Sequence, residues 1–419
     1  MKTISEKYSQ FSLPTYGRFP IVPVKGKGTE LWDSEGKRYL DFCTGIAVCS
    51  LGHCHPRMTE TIQKQAETLL HCSNLYQIPE QADLAELITE KCVKIPGKVF
   101  FSNSGAEAND GLIKTARKFG HTKPAADGTP RYEVITFRQS FHGRTLGSMF
   151  ATGQEAIQQG FSPKPNGYRY LPFNDLHALE DAVRPETAAI LLEPIQGEGG
   201  IHVASQEFLD KIAALCKEHD LLLLFDEVQA GFGRCGDMMA WKTIAPDIQP
   251  DGIAWAKGMG GGLPIGAFWL SDRCIDSEGT TLSSVMGAKT HGSTYGGNPL
   301  VSAGAMACLS EILEKNLPQA AIKHEQHIKQ IFSKVNHPAI AEVRGKGLLL
   351  GIEINTEALA LPEGAIASIY VVSQLMENGL LTVPAGGTTV RWLPPLNVSE
   401  EEITEAFHIF IATLDKILK

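Results

Sequence analysis

Two segments of this chain are suited to chemistry: an apolar run that ends in paired carboxylates, and a lysine that opens a run of glycines. Residues 221–234 read LLLLFDEVQAGFGR, with Asp226 and Glu227 closing the apolar run. In open α/β sheets ligands collect beyond the carboxyl ends of the strands, so Asp226 is placed to meet one. A carboxylate buried there needs a positive partner, because burying it unpaired is costly. A protonated pyridine nitrogen is one such partner; a helix N-terminus or a Mg²⁺ ion fits this segment equally well. Residues 254–267 read AWAKGMGGGLPIGA. Apolar surroundings lower the pKa of a lysine such as Lys257 and make its neutral, nucleophilic amine accessible. Gly258, Gly260, Gly261 and Gly262 let the backbone pass close to a flat ligand. The phosphate-binding P-loop spacing, GxxxxGK followed by Ser or Thr, is absent.

Four further clusters offer groups for anions and rings. Residues 102–120, SNSGAEANDGLIKTARKFG, read as a loop running into a helix. The N–H groups of Gly105 and Ala106 would open that helix, where its dipole favours a phosphate. Lys114 and Arg117 lie on later turns, with Gly120 as the expected stop. Residues 140–147, SFHGRTLG, supply Phe141 to stack on a planar ring and Arg144 to grip a carboxylate with both nitrogens. Core packing and a surface ion pair are the plainer readings of those two. Residues 291–299, HGSTYGGNP, offer the Ser293 and Thr294 hydroxyls, and residues 192–200, LEPIQGEGG, put Glu198 in a glycine-rich turn.

These residues need a frame. Between about residues 102 and 267, short apolar runs at 134–137, 189–192 and 221–225 alternate with stretches of helical period. Residues 208–219 set Phe208, Ile212, Leu215 and Cys216 on one helix face and lead into 221–224, apolar at every position. Continuous apolarity suits a strand covered on both sides. The alternation therefore predicts an α/β core with a mostly parallel sheet and right-handed crossovers. Residues 25–42 read as a small antiparallel ribbon with turns at Gly26/Gly28 and 34–36. After Asn298 the pattern predicts helices over 299–315 and the last twenty residues, with strands over 341–354 and 389–393. That is a second, smaller α+β domain, as expected of a 419-residue chain too long for one core.

Composition narrows the partners. A net charge of −9 argues against general affinity for nucleic acid or anionic membrane. No run of about 18 apolar residues predicts a transmembrane helix. The first twenty residues have no apolar core and carry Glu6, so neither a signal nor a transit peptide is expected. Nine scattered cysteines do not form a disulfide framework, which places the protein in the cytoplasm. Cys43, Cys49, His53, Cys54 and His55 lie close together, but their spacing fits no paired zinc motif. Adjacent residues of an extended chain also point to opposite sides, so no metal is expected.

Together the motifs resemble those of the class III (ornithine/GABA-type) pyridoxal-phosphate aminotransferases, over about residues 16–396. They occur in that family's order: LWDSEGKRYLDF, LGHCHP, SGAEAN, FHGRT, EPIQGEGG, FDEVQ, AKGMGGGLPIGA, HGSTYGGNPL and VRGKGL. The resemblance implies pyridoxal 5′-phosphate as cofactor, the type I fold of its enzymes, and a homodimer with shared active sites. It divides the chain into an amino-terminal segment, 1–50, packing with the small domain; a large cofactor-binding domain, 51–305; and a small carboxyl-terminal domain, 306–419. It implies that Lys257 holds the cofactor as a Schiff base and then shuttles a proton, while Asp226 pairs with the pyridinium nitrogen. Phe141 and Val228 would flank the ring, Gln229 reach its hydroxyl oxygen, and Gly105 and Ala106 bind the phosphate together with Thr294 of the partner subunit. Arg144 and Ser293 match substrate-contacting positions. Arg391 matches the arginine that takes the α-carboxylate of glutamate, and Glu198 the acid that pairs with it as a gate.

The likeness is nearest to members acting on N2-acetylornithine, through GIAV, LGHCHP, FHGRTLGS and HGSTYGGNPL. Ornithine, succinylornithine and GABA are the alternative donors, and a non-catalytic, cofactor-binding regulator is the alternative outside catalysis. Cys235 departs from the expected Thr or Ser and Tyr295 from the commoner Phe, and the Ser/Thr-rich stretch 277–289 is expected to be a surface loop.

Overall fold

The computed structural model describes residues 2–419. The apolar runs become neighbouring strands of a seven-stranded sheet. Its spatial order is Gly97–Ser102, Gly266–Ser271, Gly252–Trp255, Leu222–Asp226, Thr187–Leu192, Glu133–Phe137 and Tyr168–Leu171. Gly266–Ser271 runs antiparallel to both neighbours, and the other six point one way. Every residue of the four strands from Gly252–Trp255 to Glu133–Phe137 is buried, as a sheet covered on both faces requires. One covering helix, Gln206–Glu218, buries Phe208, Ile212, Leu215 and Cys216 along a single stripe.

Register carries the site. Leu224 pairs with Leu191 on one side and Gly252 on the other, so Asp226 ends its strand beside Ala254. A Cβ on Gly252 would lie 2.9 Å from side-chain carbons of Leu112 and Leu224. Its absence lets the helix Gly105–Thr122 settle close on the sheet beneath the site.

Three local expectations are corrected. The helix Gly105–Thr122 passes through Gly120 and is capped at Lys123. Gly120 is buried and a Cβ there would come 1.9 Å from the Arg131 carbonyl oxygen, so close packing rather than chain reversal requires the glycine. Within 277–289, a short helix, Leu282–Val285, turns Leu282 and Val285 into the cluster around Leu112 and Phe268. In the ribbon, Gly26 lies inside the strand Pro23–Lys27, and Gly28, at φ 56°, makes the turn.

Beyond the helices Pro299–Glu314 and Leu317–Ser333 stands a four-stranded antiparallel sheet, ordered Ile340–Lys346, Leu349–Ile354, Thr389–Trp392, Val383–Ala385. The ribbon strands Pro23–Lys27, Glu30–Asp33 and Arg38–Asp41 gain a fourth, parallel member from far along the chain, Leu380–Leu381. Among the described residues, no helix is long and apolar enough to cross a membrane.

His53 locks onto this ribbon. Its Nε2 lies 2.7 Å from the buried Asp41 Oδ2, and that bond, with Cys49 adding, raises the imidazole to about 10. Because the folded pKa is raised above the ordinary 6.5, the bond stabilises fully below pH 6.5 and is lost as pH rises through 10. His53→Gln therefore melts at a lower temperature than wild type at pH 6, with the gap closing above pH 10. A gap unchanged across melts at pH 6, 8 and 10.5 would count against the charged pair.

Candidate active site

The carboxyl end of Leu222–Asp226 delivers Asp226, which is almost fully buried. Burial demands partners for its oxygens, and three are present. Oδ2 accepts from Asn109 Nδ2 at 2.7 Å and from His142 Nδ1 at 2.8 Å; Oδ1 accepts from the Val228 N–H at 3.0 Å. Asn109, on the helix Gly105–Thr122, also donates to the His142 carbonyl. Glu193, just past Thr187–Leu192, accepts from the Phe141 and Gly197 N–H groups. Burial raises it to about 7, against the pull of His142 and with help from Asp226. The other carboxylate, Glu227, turns away from the site. Burial raises it to about 8, and it accepts from the Ala240 and Trp241 N–H groups, so the helix-capping role belongs to Glu227 rather than Asp226.

Lys257 follows the next strand. It adopts φ 44°, a left-handed conformation that costs an L-residue about 1–2 kcal/mol, and such strain gathers at functional sites. Burial holds its amine below the usual lysine value; Glu198 opposes this and Arg391 adds to it. The amine opens on a cavity of about 220 Å³, lined also by Gly105, Ala106, Phe141, Arg144, Glu198, Asp226, Val228 and Gln229.

Glu198, which lines this cavity, is held from behind by an arginine. Arg391, on Thr389–Trp392, has no solvent exposure. It grips Glu198 with both ends of its fork, Nη1–Oε1 at 2.7 Å and Nη2–Oε2 at 2.8 Å. Gln229 braces the pair, accepting from Arg391 Nη1 at 2.8 Å and donating to Glu198 at 3.2 Å. Burial works to raise the Glu198 carboxyl, but Arg391 outweighs it and holds it at about 2. Arg144, by contrast, is exposed, 5.7 Å from the Phe141 ring centre, and no carboxylate pairs with it among the described residues.

Ser293 and Thr294 are placed elsewhere. They line a neighbouring cavity with Asn74, Phe100 and His291, and Ser293 Oγ accepts from Asn103 Nδ2 at 3.2 Å and from the Gly296 N–H. Within one chain they do not join Lys257.

Motif reading passed over His142, Asn109 and Glu193. His142 and Glu193 sit inside motifs already singled out, and Asn109 lies one turn beyond Ala106. The demand of a buried Asp226 for donors was the signal that could have found two of these, His142 and Asn109.

The sequence model of the family "Aminotransferase class-III" matches residues 12–414. The chain belongs to the class III aminotransferases. It is 44% identical over 420 residues to the acetylornithine aminotransferase of Caldanaerobacter subterraneus subsp. tengcongensis, covering 100% of both chains. It is 45% identical to that of Oceanobacillus iheyensis, over 95% of this chain and 94% of the relative. Among solved structures, the ornithine aminotransferase from Toxoplasma gondii superposes with TM-score 0.88 at 30% identity, covering 100% of this chain and 96% of the other. The N-acetylornithine aminotransferase from Stenotrophomonas maltophilia gives TM-score 0.78 at 33% identity, covering 96% and 97%.

The enzyme therefore has the type I fold of pyridoxal-phosphate enzymes and uses pyridoxal 5′-phosphate. The cavity fits that group. A Cβ on Gly105 would come 2.7 Å from Val228, so the helix start is pressed against the cavity-lining Val228 with its first N–H groups free of intrahelical partners. A braced buried anion and a lysine of lowered pKa complete the set. When bound, the cofactor supplies a carbonyl for imine formation and a cationic ring that withdraws electrons.

Proposed function

We propose that this aminotransferase moves the δ-amino group of N2-acetyl-L-ornithine onto 2-oxoglutarate, giving N-acetyl-L-glutamate 5-semialdehyde and L-glutamate, a reaction of arginine biosynthesis. The observation that carries this reading is two arginines in opposite states about one lysine: Arg391 buried and neutralised by Glu198, Arg144 exposed at the cavity. A ping-pong transfer must accept two different carboxylates in turn. With Glu198 in place, the donor's carboxylate is left to Arg144. With Glu198 swung away, Arg391 offers its fork to the α-carboxylate of glutamate or 2-oxoglutarate. Acetylation also removes the charge from the donor's α-nitrogen, leaving the δ-amine as its one basic nitrogen. The 40–45% identical relatives named acetylornithine aminotransferase support the same donor.

In this reading Lys257 Nζ takes the proton from the amine-bearing carbon and returns it on the cofactor side. Asp226 keeps the ring nitrogen protonated, its carboxylate held in place by His142 and Asn109. Phe141 and Val228 flank the ring, Gln229 reaches its hydroxyl oxygen, and the Gly105 and Ala106 N–H groups take the phosphate.

A second copy completes the site. The cavity holding Ser293 and Thr294 is rimmed by exposed Leu75, beside which Tyr76 and Tyr295 also stand exposed, an apolar surface that a homodimer would cover. Thr294 of the partner subunit would then join the phosphate, and Ser293 of the partner subunit the substrate. The proposed division into 1–50, 51–305 and 306–419 is supported by the separate sheets of the core and the carboxyl-terminal third. All nine cysteines are free, which supports a reducing cytoplasm.

Ornithine as donor is the second reading, favoured by the higher TM-score to the Toxoplasma enzyme. The test adds acetylornithine, ornithine, succinylornithine and GABA singly to the holoenzyme without keto acid, while the cofactor's visible band is followed. Acetylornithine is expected to bleach it fastest, with 2-oxoglutarate restoring it. Faster bleaching by another amine overturns the donor.

A further inference from the structure

The motif VRGKGL, residues 343–348, has no part in the chemistry above. Its Arg344 stands on the strand Ile340–Lys346, directly opposite Gly351; Gly351 in turn faces Arg391 across the next pair of strands. Directly opposite residues share a sheet face. Arg344 and Arg391 therefore lie in one row, two strands apart, with a glycine between. A Cβ on Gly351 would come 2.9 Å from Ile201 Cβ, so bare backbone lets the end of the Glu198 turn settle onto the sheet.

Both arginines grip that turn. Arg391 takes the Glu198 carboxylate. Arg344 takes the Gly200 carbonyl, from Nε at 2.9 Å and Nη2 at 2.6 Å. Its other contacts tie the same guanidinium to the sheet: Glu353 Oε2 at 2.7 Å, Thr389 Oγ1 at 2.8 Å and Glu342 Oε2 at 3.1 Å. Thr389 donates to Glu353 as well, and two residues on its strand presents Arg391. A single side chain thus fastens the backbone of the turn bearing Glu198 to the strand bearing Arg391.

We propose that Arg344 is a positioning residue for substrate choice: it sets the reach of Glu198 to Arg391, and with it whether Arg391 is covered when the amine donor binds. This rests on the reading of Arg391 as the carboxylate-binding arginine. The clamp acts on a backbone carbonyl, so it is indifferent to where the Glu198 side chain points. Glu198 is free to swing about its own torsions while its α-carbon stays in place. Without the clamp the carboxylate drifts to water and Arg391 stands uncovered in both half-reactions. An uncovered Arg391 helps 2-oxoglutarate. It also captures the donor's carboxylate with the δ-amine misplaced, which is non-productive binding.

The test uses the holoenzymes of Arg344→Met, Arg344→Lys, Glu198→Gln and the Met/Gln double variant. Binding of glutarate, a dicarboxylate that does not react, is measured by calorimetry, and each half-reaction by stopped flow. Arg344→Met is expected to bind glutarate about fivefold to tenfold tighter, the lower range of ordinary site coupling. For the acetylornithine half-reaction its limiting rate and half-saturating concentration fall together, leaving their ratio nearly steady, as misplaced binding requires. Arg344→Lys retains one bond to Gly200 and falls between. In the Glu198→Gln background Arg344→Met adds less than about twofold, because both act through one contact. A fall in that ratio for both substrates alike, or effects that multiply in the double variant, would sink the inference. Tighter glutarate binding in Glu198→Gln but not in Arg344→Met also overturns it and leaves the Arg391 reading standing. Unchanged glutarate binding in Glu198→Gln overturns both.

Discussion

Lys257→Ala is expected to lower the limiting rate of the acetylornithine half-reaction by about 10⁴-fold or more, since it removes the proposed nucleophile and proton carrier together. The geometry leaves no deputy: among the described residues lining the cavity, Lys257 is the one amine. Its lowered pKa suits the proposed role, in which the neutral amine takes the proton and the conjugate acid returns it. Alanine at φ 44° is strained about as much as lysine, so the fold is retained and the melting temperature of the variant stays within about 4 °C of wild type. The lost side chain also leaves space. Added methylamine should therefore restore part of the rate in proportion to its concentration. Turnover within tenfold of wild type would remove Lys257 from the chemistry.

Asp226→Asn keeps the shape and deletes the charge. A rate loss of about 10²- to 10³-fold is expected, the usual effect of removing one fixed electrostatic partner from a water-excluded site. The variant also meets a mismatch of hydrogen bonds. Asp226 now accepts from three donors, one on Oδ1 and two on Oδ2. An amide has only one oxygen. With that oxygen toward His142 and Asn109, its NH₂ confronts the Val228 N–H, at a cost of about 1–3 kcal/mol for the unsatisfied group. The prediction is thus double: slower half-reactions and weaker cofactor retention, the second read from fluorescence titration of the apoprotein. A variant slowed less than about threefold would leave the anion without its assigned part, given a tenfold change for each 1.4 kcal/mol.

Much of this was legible before any coordinates, and for a physical reason. Residues at the ends of doubly covered strands are marked by the apolar runs before them, so Asp226 and Lys257 stand out. The small-residue loop before Gly105 announces the helix, and Ser104 caps it, its hydroxyl accepting from the Glu107 N–H. What could not be read depends on approach between distant segments. Gly120 looks like a helix stop and is a packing contact with Arg131. Asn109 looks like an ordinary helical residue, and only the demand of Asp226, 117 positions later, for donors hints at its part. The antiparallel turn of Gly266–Ser271 into an otherwise parallel sheet leaves no mark in its composition. Ser293 and Thr294 are the limiting case, because the fold of one chain leaves them in a different cavity from Lys257.

The fourth strand of the amino-terminal ribbon has a consequence for how the molecule is made. Leu40 pairs with Leu380, a separation of 380 − 40 = 340 residues. At about 5–20 residues per second of synthesis, roughly 17–68 s pass between the making of the two partners. Through that interval Leu40 has its ribbon neighbour Glu30 on one edge but no partner on the other, although Leu40 and Phe42 are both completely buried at the end. The ribbon is therefore made long before the strand that completes it, and its open edge closes only once Leu380–Leu381 has been synthesised.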